Sequence, residues 1–383
     1  MRTRGAWVVI AAVLVSAAAW QVDVHKPITS PYTFTEDVLP ILRDRCAACH
    51  VAGGVAPMAL TTAEETIPWG ESIRIELIAG HMPPWAAISN GARVRHAEGL
   101  SARELNVLLT WVTGGTPINA PPPAAAPAGA EWKLGAPDAL VALPEMTVGA
   151  EEADVTKEFV LPLDANAGRP LRAVDLRPGT PSLVRSARVS LKTAAAAGDI
   201  ERLLALWVPG DTPVALPSGV AYDVPRDAEL VVRVRYKKTW EHEREVMRDR
   251  SEVGLYFAAE APQPLRTMTF PVAPRNQPEP GVAHGVVAGR PLGAAVRVLS
   301  IYPTALTAGA RIRIDAIPPE GLRQRLIEFS PRPGWDRRYA FEMPVDLPRG
   351  TQLSVSAAWE GETAMPSGGG ELVVLNVVPL PSR

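Results

Sequence analysis

Proline occupies 39 of the 383 positions, about one in ten where roughly 5% is usual. Each proline fixes φ and removes a backbone donor, so long helices cannot run through most of such a chain; strands and loops must make up its bulk. At this length the usual scale of about 100–200 residues per domain predicts two or three domains. Hydrophobic residues make up 47% and charged residues 21%, enough apolar material to bury cores rather than remain disordered. Lys+Arg 39 against Asp+Glu 41 gives a formal net charge of -2, without the basic field that nucleic-acid binders use, so nucleic acid is not an expected partner.

Arg2 and Arg4 precede the apolar run Ala6 to Val15 and then Ser16-Ala17-Ala18-Ala19, the charged, apolar and small-residue layout of a secretory signal. Residues 1–19 are therefore expected to be a signal peptide cleaved near Ala19, which sends the chain to the periplasm. The stretch from Ala6 to Trp20 is about 15 residues, short of the roughly 20 needed to span a bilayer. The alternative is an uncleaved segment anchored in the inner membrane and facing the periplasm.

The two cysteines of the chain stand in Cys46-Ala47-Ala48-Cys49-His50, the C-x-x-C-H pattern of covalent haem c attachment. Two thiols three apart on one turn face the same edge of the macrocycle, and the next residue swings under it as proximal iron ligand. A thioredoxin-like dithiol is the competing reading, but it calls for a strand before the motif and has no need of the histidine. One covalent haem c is expected, held by Cys46 and Cys49 with His50 on the iron.

Around the motif, Thr33 to Asp37 can start a helix with acidic residues in its first turn, and Val38, Ile41 and Leu42 share a face leading to Cys46. Ala63 to Gly80 reads as a further helix, with Trp69, Ile73, Leu77 and Ile78 for a haem pocket. Ser101 and Glu104 form a capping box before Leu105, Leu108, Leu109 and Val112, and Gly114-Gly115 stops that helix. The candidates for the sixth iron ligand are Met58, His81 and Met82. Met82 is preferred because Pro83 and Pro84 fix an extended loop behind it. Met58 lies only eight residues after His50 and reads as core, and His81 and His96 read as polar, solvent-facing groups.

Residues 32 to about 120 resemble a family of short bacterial c-type cytochrome domains, through the helix before C-x-x-C-H, the Ala56 to Leu60 segment (Ala-Pro-Met-x-Leu), Met82-Pro83-Pro84-Trp85 and Trp111 to Gly115. The resemblance implies that the methionine before the two prolines, Met82, is the distal ligand.

Thr116 to Ala130 is a proline-alanine segment without apolar periodicity, so 116–131 reads as a semi-rigid linker. After it the pattern alternates, with strand-like runs at Glu229 to Tyr236, Glu252 to Ala258, Ala295 to Tyr302, Arg311 to Ile317, Tyr339 to Phe341, Gln352 to Trp359 and Glu371 to Val378. These predict two β-sandwiches or jelly rolls, over 132–262 and 263–383. The expected fold class is thus multidomain, with a small all-α cytochrome c domain over 32–115 followed by an all-β double jelly-roll region.

The order of Arg177-Pro178-Gly179, Trp207 to Asp211, Leu216 to Gly219, Asp249 to Leu255, Trp335 to Tyr339 and Leu347 to Thr351 resembles the copper type II, ascorbate-dependent monooxygenases, the peptidylglycine and dopamine hydroxylating group. The resemblance covers about 132 to 365 and implies a two-jelly-roll scaffold. At the positions where that family carries copper ligands this chain has Arg185-Ser186, Arg235-Tyr236 and Tyr302 to Leu306, and Gly368 to Val374 holds no methionine. Only His242 and His284 follow residue 130, too few for two copper centres of that design. His242 reads as part of a charged, solvated loop and His284 as part of a glycine-bearing one. Arg185, Arg233, Arg235, Arg311 and Arg313 face either an acidic partner or solvent.

The expected function is that of an exported haem c electron carrier, more an electron-transfer protein than an enzyme, with no copper. Its monooxygenase-like β platform then serves for docking a redox partner protein or a copper-competent relative. A haem-fed copper monooxygenase with an altered metal site is the alternative.

Overall fold

Alternating burial along the strands builds most of the molecule. In Ala310–Ile317, for example, Ala310, Ile312 and Ile314 are buried while Arg311 is exposed, the period of two that a half-buried strand requires. The computed structural model describes residues 29–84, 87–88, 92–96, 99–119, 132–194, 199–259, 262–271, 284–304, 310–332, 334–359 and 371–381. The expected signal peptide at 1–19, and the expected linker from residue 120 onward, lie outside these residues.

Two pairs of sheets carry the β region. In the first, Asp154–Pro162, Glu229–Lys237, Val184–Thr193 and Ile200–Trp207 form an antiparallel sheet in that spatial order, and Ala139–Ala142, Glu252–Phe257 and Leu171–Arg177 form another. Val189, Leu191, Val232 and Val234 of one sheet share a core with Val174, Leu176, Val253 and Leu255 of the other. In the second pair, Arg266–Pro271, Glu371–Pro379, Val296–Pro303 and Tyr339–Leu347 form a four-stranded sheet. It packs against a sheet of Ala87–Ile88, Gln324–Phe329, Ala310–Ile317, Gln352–Trp359 and His284–Pro291. Ile312, Ile314, Leu353 and Val355 meet Val298, Ile301 and Leu375 in that core. Leu203 and Leu206 of the first pair touch Tyr302 and Val374 of the second.

The expected separate all-α cytochrome domain is corrected by the structure. The chain is predominantly β-sandwich, and its helices are short: a π-helical turn at Phe34–Val38, then Leu39–Arg45, Ala63–Thr66, Gly70–Ile78 and Ala102–Thr113. Between the last two, the strand Ala87–Ile88 adds to the five-stranded sheet, Ala87 opposite Phe329 and Ile88 opposite Glu328. Val94 bridges Phe341, and Arg95 N donates to Ala340 O while Glu342 N donates to Arg93 O, both at 2.8 Å. Ala92 and Val94 are buried in the core of the second sandwich. The helical segment is therefore stitched into the β region by its own backbone. Helical periodicity is a local signal and could not register this pairing with strands far along the chain.

The single helix expected over 63–80 is also broken. Pro68 lies in a 3-10 turn, Ile67–Trp69, between Ala63–Thr66 and Gly70–Ile78, because proline lacks the N–H that a continuous helix would use there.

Candidate cofactor site

The Cys46 turn is a continuation of the helix Leu39–Arg45, which carries Pro40 in its first turn. Cys46 N donates to Leu42 O at 2.8 Å, and Cys49 N and His50 N both donate to Cys46 O, at 3.0 and 2.9 Å. This tight turn sets two thiols and an imidazole on consecutive faces. The chain then doubles back: Gly54 N donates to Val51 O at 2.8 Å and Leu60 N to His50 O at 3.0 Å. A Cβ at Gly54 would meet Cys49 O at 2.5 Å, so only glycine lets the loop close this far.

Beneath the turn, Phe34, Val38, Leu42, Leu60, Leu108 and Trp111 form a small apolar core. Phe34 and Trp111 pack with ring centroids 5.7 Å apart, and Trp111 Nε1 donates to Pro117 O at 3.1 Å. Ser101 and Glu104 make the reciprocal capping box, and Glu104 also takes Arg45 Nε at 3.0 Å. The end of the first helix, one residue before Cys46, is thereby pinned to the start of the last.

Cys46, Cys49, His50 and Met82, the four residues expected from the sequence to hold and ligate a haem, line one cavity of about 590 Å3, within the range of about 300–1,000 Å3 of cofactor and ligand sites. Both cysteines are free thiols. Burial pushes each thiol up to about 12, so both are neutral, and Cys49 Sγ donates to Pro209 O at 3.5 Å. Burial also holds the His50 imidazole below its ordinary value, against the hydrogen bond to Met58 O that works the other way. His50 Nδ1 lies 3.3 Å from that carbonyl. A carbonyl only accepts, so Nδ1 carries the proton and Nε2 keeps a lone pair. Two unpaired thiols, a neutral imidazole with a free ring nitrogen and a thioether in one cavity are a donor set that fits a covalently attached haem.

Of the other ligand candidates, Met58 also lines the cavity, while packing half-buried against the small apolar core. Met82 is 39% exposed. His81 turns outward, its Nδ1 3.1 Å from Glu76 Oε2, and exposed His96 offers its backbone carbonyl to Arg337 Nη1 at 2.9 Å. His242, expected in a charged, solvated loop, ends a 3-10 turn, Trp240–His242, half-buried with its Nδ1 2.8 Å from Glu245 Oε2. His284 opens the strand His284–Pro291 rather than lying in a loop. Among the described residues, no group of three or more His, Cys, Asp or Glu is arranged to hold a metal ion, and no helix is long and apolar enough to cross a membrane.

The far wall of the cavity belongs to the β region, and sequence reading missed it. Arg185, Arg235, Lys237, Gly334 and Trp335 line it. Arg185 and Arg235 stand out in the sequence as departures from copper ligation, a signal that marks the positions without saying what they face. Arg235 is bound to Asp154 at 2.6 Å, as Arg233 is to Glu158 at 2.7 Å and Arg313 to Glu328 at 3.2 Å. A second cavity of about 300 Å3 lies behind the attachment turn, bounded by Ala47, Ala48, Trp132, Trp207 and Asp175. Burial pushes the Asp175 carboxyl up to about 6, although Leu176 N donates to it at 2.8 Å.

No family model matches the chain, and no curated protein does. Among solved structures it is similar to the N-terminal CBM22 tandem domain from Paenibacillus barcinonensis, at 10% identity over 65% of this chain and 96% of that one, with a TM-score of 0.18. A Paenibacillus xanthan lyase is 11% identical over 70% of this chain and 28% of that one, with a TM-score of 0.16. The infectious bursal disease virus Gt strain structure is 11% identical over 63% and 71%, with a TM-score of 0.19. Likenesses of this size bear on neither the fold nor the function of the chain.

Proposed function

We propose that this chain is an exported haem c electron carrier, with the haem attached through Cys46 and Cys49 and its iron taken by His50 and Met82. The observation that carries this reading is the single cavity into which a C-x-x-C-H turn, a neutral imidazole and Met82 converge. Bound there, the group would supply one-electron chemistry between ferric and ferrous iron. The chain's own residues do the rest. His50 is held in one tautomer by the Met58 carbonyl, and the helical core fixes the attachment turn.

The β sandwiches act in this reading as the platform that closes the cavity and docks a redox partner protein or a copper-competent relative. Export to the periplasm rests on the charged, apolar and small-residue pattern of residues 1–19. In support of a carrier rather than a copper hydroxylase, two of the positions that would need imidazoles are occupied by Arg185 and Arg235, side chains with no lone pair to give.

The test is production of the full chain in a host that attaches haem c, followed by haem staining of denaturing gels and elemental analysis. One iron and no copper per chain, lost in the C46A/C49A variant, is the expected result. Haem that stays covalently bound in that variant, or stoichiometric copper with ascorbate-dependent oxygen consumption, would overturn the reading.

A further inference from the structure

The cavity wall supplied by the β region carries unbalanced charge. Five charged side chains line the cavity: Arg45, Glu76, Arg185, Arg235 and Lys237. Three are already paired, Arg45 with Glu104 at 3.0 Å, Glu76 with His81 at 3.1 Å and Arg235 with Asp154 at 2.6 Å. Among the described residues Arg185 and Lys237 make no such pair, although the Asp154 carboxylate, bound to Arg235, acts on both from longer range.

Arg185 is aimed by the fold. It sits where the register between Val184–Thr193 and Glu229–Lys237 slips, with Val184 opposite Tyr236 and Ser186 opposite Arg235. Such a bulge turns one side chain away from the regular alternation and is a common way to point a residue at a site. The guanidinium then reaches across to the loop after His50, donating from Nη1 to Val55 O, and from Nε to Lys237 O at 3.1 Å. Both acceptors are neutral carbonyls, and Asp154, the carboxylate that acts on this guanidinium from a distance, is already shared with Arg235. Desolvation holds this arginine below its ordinary value, with neighbouring Arg235 acting in the same direction and Asp154 against it.

We propose that Arg185 and Lys237 are fixed positive charges beside the attachment edge of the cofactor, favouring the reduced, less positive iron. This rests on the haem reading above and deepens it: the first sandwich becomes half of the redox site, and Arg185, at a position that departs from copper ligation, acts by charge. A fixed cation near a redox centre stabilises the state with one more electron, and does so most where water is scarce. Arg185, half-buried, should therefore outweigh Lys237, which is exposed and screened by salt. Both are positioning residues that tune the iron without ligating it.

The experiment is potentiometric titration of the purified haem-loaded chain and of R185Q, R185K and K237Q, with haem content and thermal melting checked for each. The expected result is a negative shift of the midpoint potential in R185Q, a smaller negative shift in K237Q, and a value near the parent's in R185K, which keeps the charge. A merely structural latch to Val55 would lower the melting temperature while leaving the potential in place. R185Q with intact haem and the parent's potential would overturn the proposal and leave the haem reading standing. If R185Q does not fold, K237Q decides, and a parental potential in K237Q overturns the proposal. A parent chain that takes up no covalent haem overturns the haem reading and this proposal with it.

Discussion

Arg337 Nη2 meets Asp211 Oδ1 at 2.6 Å across the boundary between the two sandwiches, with 3% of the arginine side chain and 10% of the aspartate exposed. The same guanidinium donates from Nη1 to His96 O at 2.9 Å, so one buried cation joins the first sandwich, the second sandwich and the loop leading from the cofactor cavity. Arg332 adds a parallel tie, donating from Nη2 to Gly80 O at 2.7 Å.

Breaking a buried pair by removing one partner leaves an uncompensated charge, at about 3–5 kcal/mol. Arg337→Leu should accordingly lower the urea midpoint strongly, and adding Asp211→Asn to it should recover part of the loss, because the orphaned carboxylate is then gone. Equal midpoints for Arg337→Leu and the parent would mean that the three parts are held by their apolar contacts alone.

Much of this architecture can be read from local signals. The helix Ala102–Thr113 announces itself through Ser101, Glu104 and the apolar face Leu108–Trp111, and the strand Glu229–Lys237 through alternation that begins at Val232. Cys46, Cys49 and His50 are legible as a site because their spacing is fixed by one helical turn. What local signals cannot carry is pairing at a distance. Ala87–Ile88 is too short to show a period, and its register against Phe329 depends on a sheet built from the other end of the chain. For the same reason Arg185 reads as an ordinary strand arginine until the bulge at Val184 and Ser186 turns it to the cavity.

Asp175 gives a pH-dependent prediction. Its carboxyl is raised by burial from 3.8 to about 6, so the folded chain prefers it protonated. Its contribution to stability is fully present below about pH 4 and is lost as the pH rises through about 6. A tenfold change in a proton's binding constant is worth about 1.4 kcal/mol, so Asp175→Asn should be more stable than the parent by up to about 3 kcal/mol at pH 7. The two should converge near pH 4. Chemical denaturation at both pH values measures this, and a constant difference between them would assign the effect to packing instead.

The haem-free thiols are expected to be unreactive while folded. With both raised to about 12, only about one thiol in ten thousand is a thiolate at pH 8. Iodoacetamide should label Cys46 and Cys49 slowly in the native haem-free chain and readily in urea. The raised values also make the haem-free fold lose stability as the pH climbs from about 9 towards 12, since the unfolded thiols ionise first. Rapid native labelling at pH 8 would mean that the attachment turn opens freely, with its bond from Cys49 to Pro209 O broken most of the time.

Met82 and Met58 both border the cavity, and substitution separates them. The Met58 carbonyl already holds His50 Nδ1 at 3.3 Å, so its backbone is committed to the same side as the proximal ligand and its side chain packs in the helical core. Met82, on the segment that leads to Pro83 and Pro84, has no such commitment and is 39% exposed. In the haem-loaded chain, Met82→Ala should abolish the sulfur-to-iron charge-transfer band at the red end of the ferric spectrum and lower the potential, since thioether ligation favours the ferrous state. Met58→Ala should keep the band while costing up to about 2 kcal/mol, since the half-buried side chain loses only part of its apolar contacts. A band that survives Met82→Ala and vanishes in Met58→Ala would exchange the two roles, and a parent without the band would move the ligand to His81, which would first have to leave Glu76.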